Sequence, residues 1–152
     1  MCKTSSLTLT NYFNELQKIS PDKKAEVDYH FLQTALDTEN FELAEQLLQH
    51  QANINSIGGN NNETLSMTFA RDERKIKQFN FLLKHHINVG IVCHKENVVN
   101  IIQRYKNKLA LSELKSKFDN FPQELRLDKQ TFDQLKKQIH TLHNNLKRSL
   151  KN

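Results

Sequence analysis

The feature that most limits what this chain can fold into is an internal repeat. Displacing the sequence by 35 residues aligns FLQTALDTENFELAEQLLQHQANIN (31–55) with SMTFARDERKIKQFNFLLKHHINVG (66–90). Six pairs are identical: Ala35 with Ala70, Asp37 with Asp72, Leu47 with Leu82, Leu48 with Leu83, His50 with His85, and Asn53 with Asn88. Four more exchange one apolar residue for another: Leu32 with Met67, Phe41 with Ile76, Ala52 with Ile87, and Ile54 with Val89. Ten agreements in 25 positions exceed what shared helicity alone usually gives. Each unit reads as a short helix, a tight turn, a second helix ending in Leu-Leu, and a loop opening on asparagine. One such unit has too little apolar surface to cover its own face, whereas stacked neighbours cover one another.

The flanks are helical too. Leu9, Tyr12, Phe13, Leu16 and Ile19 fall on helical spacing and predict an amphipathic helix ending near Ile19. Ser20-Pro21 reads as an N-cap followed by proline at the first helical position, where the missing N–H costs nothing. Between the units, SIGGNNNE is rich in turn formers. Beyond His94, Val98, Val99, Ile101, Ile102 and Tyr105 predict a helix, and Leu111, Leu114, Phe118 and Phe121 a second, ended by Pro122. Thr131 and Gln134 have the spacing of a capping box opening a last helix, whose stripe is Phe132, Leu135, Ile139, Leu142 and Leu146. No alternating strand pattern stands out, so the expected class is all-α.

Composition narrows the function classes. With 152 residues the chain is one modest domain, and its apolar runs fall far short of the ~18 residues that cross a bilayer. The amino terminus lacks the basic-then-apolar order of a secretory signal, and Cys2 and Cys93 cannot build a disulfide framework; a soluble intracellular protein is expected. Seventeen lysines, 17 asparagines and only three glycines suggest codons drawn from an AT-rich genome. The net charge of +5 is unevenly placed: residues 1–102 hold 10 basic and 12 acidic side chains, residues 103–152 hold 12 and 5. A basic end of this kind suits nucleic acid, anionic lipid or an acidic protein, and equally a solvated helix face.

The repeated segment resembles the ankyrin repeat, a unit of about 33 residues. ENFELAEQLLQHQANIN is similar to the family's second helix and loop start, and NFLLKHHINV repeats it. The likeness covers about residues 28–90. Ala35 and Ala70 match the small-residue position of the first helix, Leu47-Leu48 and Leu82-Leu83 the paired leucines of the second. The chain departs from the family at its turns. The Thr-Pro that opens the first helix is replaced by His30-Phe31 and Leu65-Ser66, the inter-helix glycine by Glu39 and Arg74, and the post-helix glycine by Gln51 and His86. A non-glycine residue in a left-handed turn costs about 1 kcal/mol, which predicts units less regular than a consensus array. The 35-residue offset implies about two extra residues, placed in an extended finger loop at SIGGNNNE.

Chemistry-bearing residues do not assemble into an announced site. His85, His86, Cys93 and His94 lie close in sequence but lack the paired-cysteine spacing of a zinc site, and His50 and His85 share one repeat position. His140 and His143 share a helix face, but His143 borders a basic exposed side and needs no ligand role. Cys93-His94 has no glycine-rich strand-to-helix turn to activate a nucleophile. Asp72-Glu73 sits between Arg71 and Arg74 as a charge cluster, and phosphate-cradling glycine patterns are absent. No catalytic residue, metal, cofactor or small-molecule substrate is expected.

The expected organisation is an N-terminal helical cap (1–27), ankyrin-like repeats with a degenerate third unit or cap (28–108), and a basic helical hairpin (109–152). The resemblance implies a non-enzymatic module binding another protein through finger loops and first-helix faces. Carried over by position, the contacts are Gln33, Asp37, Thr68, Arg71 and Asp72, joined by Asn60, Asn61, Asn62 and Glu63 of the extended loop. Ankyrin-like proteins of this Lys- and Asn-rich kind occur in intracellular bacteria and large viruses, so the resemblance also raises a role toward host proteins after delivery into a host cell. The alternative is polyanion binding, to nucleic acid or anionic membrane, through Lys136, Lys137, Lys147, Arg148 and Lys151. Sparse arginine and the absence of interleaved aromatics weigh against it.

Overall fold

A computed structural model describes residues 7–151, with side chains as far as Lys147. Cys2 and the side chains of Arg148 and Lys151 lie outside the described residues. Eight α-helices and one two-stranded ribbon make the chain all-α among these residues. It divides into two compact units, one ending at Leu65 and the other beginning at Ser66, each taken in turn below.

In the first unit, helix α1 spans Leu9–Lys18 and opens on a reciprocal box: Thr8 Oγ1 accepts from the Asn11 N–H at 3.1 Å, and Asn11 Oδ1 accepts from the Thr8 N–H at 2.9 Å. A 3₁₀ turn, Pro21–Lys23, leads into α2 (Lys24–Asp37). Ser20 stands at the N-cap of that turn with Pro21 at its start, as the sequence suggested, but its hydroxyl donates to Asp22 and caps no backbone N–H. Helix α3 (Phe41–Gln49) is capped by Asn40, whose Oδ1 accepts from the Leu43 N–H at 3.1 Å. Tyr12, Leu32, Leu36, Ala44 and Leu47 are its fully buried centre.

The ribbon departs from the strandless expectation. Ile57–Gly58 (β1) pairs antiparallel with Glu63–Thr64 (β2), Ile57 opposite Thr64 and Gly58 opposite Glu63. Two residues per strand are too few to leave an alternating pattern, so only the turn residues between them were visible.

Helix α4 (Leu65–Ala70) starts on the last residue of the first unit, and in the second unit it leads through the 3₁₀ turn Glu73–Lys75 to α5 (Ile76–Lys84). After it, Cys93 and Glu96 exchange both backbone hydrogen bonds, and His94 and Lys95 between them have φ of +54° and +67°, a tight turn of the mirror-image kind. Helices α6 (Val98–Tyr105), α7 (Lys108–Asn120) and α8 (Lys129–Lys151) follow. Phe79, Leu82, Ile101, Ile102, Leu114, Phe118 and Ile139 are buried together in this unit, and the Phe118 and Phe132 rings stack at 5.1 Å. The cap of α8 is Asp128, not Thr131: Asp128 Oδ2 accepts from the Thr131 N–H at 3.1 Å, and its carbonyl from the Phe132 N–H at 2.9 Å.

The turns recur with fixed spacing. After α3, Gln51 takes φ +72° and the Ala52 N–H returns to Leu47 O at 2.9 Å; after α5, His86 takes φ +66° and the Ile87 N–H returns to Leu82 O at 3.1 Å. Asn53 Oδ1 accepts from the Asn55 N–H at 2.9 Å and Asn88 Oδ1 from the Gly90 N–H at 2.8 Å. A third copy is carried by α6 and α7. Lys106 (φ +52°) repeats the left-handed Glu39 (φ +57°), and Asn107, which caps α7 through the Ala110 N–H at 3.0 Å, repeats Asn40. Thus α7, grouped by sequence with the basic hairpin, is also the second half of a helix–turn–helix. Arg74 does not repeat Glu39: Asp72 accepts from the Arg74 N–H at 2.9 Å and a 3₁₀ turn replaces the left-handed residue.

Candidate functional site

In the first unit, the ribbon lies on Tyr29. A Cβ built on Gly58 would sit 2.9 Å from Tyr29 Cγ, and one on Gly59, itself at φ +76°, 2.9 Å from Tyr29 Cε1. Glycine at both positions is therefore required by close approach, and at Gly59 by backbone conformation too. The ring fixes the loop so that Gln33 of α2 and Asn62 of the loop line one cleft of about 410 Å³, with Glu26, His30 and Ile57 on its walls. Ile57 is 39% exposed, an apolar side chain at the rim of a polar cleft. Asn60 and Asn61 are exposed at the loop tip, and Asp37 is exposed one turn beyond Gln33 on α2.

Glu63 is a correction. Expected in the exposed loop, it is buried to 3% exposure, because β2 is the inner strand and both of its residues are covered. Tyr29, His30, Glu26 and Ile57 were missed by sequence reasoning; the 26, 30, 33 spacing puts three of the cleft residues on one helix face and was the available signal.

Thr68, Arg71 and Asp72 belong to the second unit. Thr68 is half-buried. Arg71 Nη1 donates to Tyr105 Oη at 2.7 Å, and its guanidinium carbon is 5.3 Å from the Tyr105 ring centre. Asp72 receives Arg74 Nε and Nη2, each at 3.1 Å, and this pairing holds its carboxyl below the usual carboxylate range. Arg104, bonded to Glu96, lies close enough to Arg71 to feel its charge. Tyr105, Arg104 and Glu96 are the residues that the sequence did not single out here.

The basic residues are dispersed over α8. Lys136 places its ammonium 5.7 Å from the Phe132 ring centre. Lys137 lines a cleft of about 350 Å³ with Gln103, Gln134, Gln138, Thr141 and Asn145, and Lys147 lines a separate groove with Lys108, Leu111, His143 and Leu146.

The histidines have local explanations. The His85 ring lies 4.2 Å from the Phe81 ring at a tilt of 35°, and His86 Nδ1 lies 3.1 Å from Glu124 O. Cys93 is buried in its tight turn. Among the described residues, no group of three or more His, Cys, Asp or Glu side chains is placed to hold a metal ion, and no helix is long and apolar enough to cross a membrane. No protein-family model, curated protein or solved structure matches this chain.

Proposed function

We propose that this protein is a non-enzymatic, ankyrin-type helical-repeat module that binds another protein. The observation that carries the reading is the recurrence of one turn geometry: left-handed closures at Gln51 and His86, 35 residues apart, and at Glu39 and Lys106, 67 apart. A ribbon at 57–64 and a tight turn at 93–96 separate the helix pairs, which supports reading them as finger loops. The spacing from the start of α4 at Leu65 to that of α6 at Val98 is 33 residues, the family's own period. The two residues by which the sequence repeat exceeds it therefore belong to the ribbon.

In the first unit the partner is received by the cleft between α2 and the ribbon, where exposed Ile57 supplies an apolar anchor and Gln33, His30 and Asn62 supply hydrogen bonds. In the second, Tyr105 is 43% exposed and Arg71 braces its ring, an aromatic and guanidinium pair of the type that dominates interface energetics. The size of these surfaces suits a modest interface. Affinity capture with the full chain tests the reading. A partner should survive moderate salt, be lost on Gln33→Arg with Ile57→Asp, and be retained on Lys137→Gln with Lys147→Gln. Loss only with the lysine variants overturns it.

A further inference from the structure

The two units carry opposite charge. Residues 1–65 hold four lysines and nine carboxylates, a net charge of −5, whereas residues 66–152 hold 18 basic and eight acidic side chains, a net charge of +10. The +5 of the whole chain is therefore no guide to what the first unit attracts. A surface steers partners by the charge around it, so a cationic segment is drawn to the first unit and repelled by the second.

That charge has a place to act. His30 lines two clefts of the first unit: the one of about 410 Å³ with Glu26, Gln33 and Asn62, and a second of about 700 Å³ with Thr34, Thr38 and Glu39. Positions 26, 30, 33, 34 and 38 fall on one helical face, so both clefts border the same side of α2. Each of the five is exposed or half-buried. Among the described residues, no lysine or arginine lines either cleft, while two carboxylates do. The bases at the start of α2 leave this face acidic. Lys24 is taken by Asp28 and by Gln51 O, and Lys23 comes no nearer to Glu26 than 3.8 Å, with both side chains more than half exposed, a pairing that water screens. Ile57 adds an apolar side chain beside the Glu26 end, and Leu7 one beside the Glu39 end.

The chemistry of the face selects its occupant. Carboxylates only accept hydrogen bonds, and lysine and arginine only donate them. An acidic peptide, a nucleic acid or an anionic membrane would bring further negative charge to Glu26 and Glu39 with no cation on either cleft to receive it. From position 26 to 38 the helix rises about 18 Å, a span that about six residues of extended chain cover.

We propose that this face of α2 receives an extended basic segment of the partner protein, one lysine or arginine toward Glu26 and a second, about five residues away, toward Glu39. The assignment rests on the protein-binding reading of the first unit and adds the chemistry of what is bound there.

The test measures fluorescence anisotropy of the full chain with two sets of labelled octapeptides at low salt. One set has lysine or arginine at positions 2 and 7, the other glutamine, and both are randomised over uncharged residues elsewhere. The basic set should bind about tenfold more tightly, as two screened ion pairs allow, and its advantage should shrink as salt is added. Glu26→Lys with Glu39→Lys should abolish that advantage. Glu42→Lys with Glu45→Lys, which changes the charge of the unit equally from α3, should keep most of it. Circular dichroism verifies the helices of each variant; if the Glu26 and Glu39 pair does not fold, Glu26→Gln alone must narrow the advantage. Equal binding of the two sets, no binding of either, or an advantage that both charge-reversal pairs reduce alike would overturn the proposal. So would concentration-dependent self-association of the chain that Glu26→Lys with Glu39→Lys abolishes, since the occupant would then be a second copy. Equal binding of both sets that is lost on Gln33→Arg with Ile57→Asp would overturn this assignment alone and leave the protein-binding reading standing.

Discussion

The Tyr12 hydroxyl donates to Asp28 Oδ1 at 2.6 Å, and both residues are buried to 1% exposure or less. The other carboxylate oxygen receives Lys24 Nζ at 2.6 Å and the Asn53 N–H at 2.9 Å. One carboxylate thus fastens α1, the start of α2 and the loop that follows α3. Burial first, then the bond and charge of Asp28, push the Tyr12 phenol well above the usual tyrosine range, so it stays a donor at any working pH.

Removing one donor and removing the acceptor should differ. Tyr12→Phe deletes a bond to a charged group and should cost about 1.5–3 kcal/mol. Asp28→Ala leaves the Tyr12 hydroxyl and the Asn53 N–H without their acceptor and should cost about 3–5 kcal/mol. Denaturant unfolding of the two variants should preserve that order; equal losses would show that Asp28 is not the junction.

The left-handed residues give a prediction of opposite sign. Gln51 is exposed at φ +72°, so Gln51→Gly should raise stability by up to about 1 kcal/mol. His86→Gly should gain less, because the ring nitrogen contact to Glu124 O is lost with the side chain. Gly59→Ala, which combines a positive φ with a Cβ 2.9 Å from the Tyr29 ring, should cost at least about 1 kcal/mol. Thermal unfolding of the three variants orders them.

How much was legible in the sequence follows from where each signal resides. Ala35 and Ala70, Leu47 and Leu82, and Asn53 and Asn88 repeat because each occupies a position fixed by local helix geometry, and the structure gives them matching burial or matching turn bonds. The third helix–turn–helix was legible only as a degenerate third unit or a cap, because its apolar residues diverge. Only Asn107 and a left-handed Lys106 carry its register, and left-handedness has no signature when glycine is absent. Asp128 and Thr131 are three residues apart and both are good caps, so pattern alone could not choose between them. In the candidate site, Gln33 came by position from the ankyrin resemblance and Asn62 from the extended loop at SIGGNNNE, and both line the cleft. Tyr29 was not, since its role is a contact with two glycines some 30 residues away.

Asn107 offers a direct check on that third junction. It is 1% exposed, caps α7 through Oδ1, and donates through Nδ2 to Ala70 O at 2.9 Å. Asn107→Leu removes the cap and leaves a buried carbonyl without its donor, a loss of roughly 2–3 kcal/mol. Asn107→Asp keeps the cap but cannot donate to the carbonyl, and should retain α7 helicity while still losing stability. Hydrogen exchange at the first turn of α7 separates the two outcomes.

Acid should weaken the C-terminal helices through three carboxylates. Hydrogen bonds from Lys115 and then His140 hold the Asp119 carboxyl below its ordinary range, the bond from Lys117 does the same for Glu124, and the side-chain and backbone bonds of Thr131 do so for Asp128 at the start of α8. A carboxylate with a depressed folded-state pKa contributes stability that is complete above its unfolded value and is lost as pH falls through the folded one. The contribution should therefore be intact from neutrality down to about pH 5 and decline below about pH 4. Asp119→Asn should shift the acid transition upward by removing the carboxylate that accepts from Lys115 and meets His140, and Asp128→Asn, an equally good cap, should leave it nearly in place. A pH titration of helicity for the two variants decides whether the seam or the cap sets the acid limit.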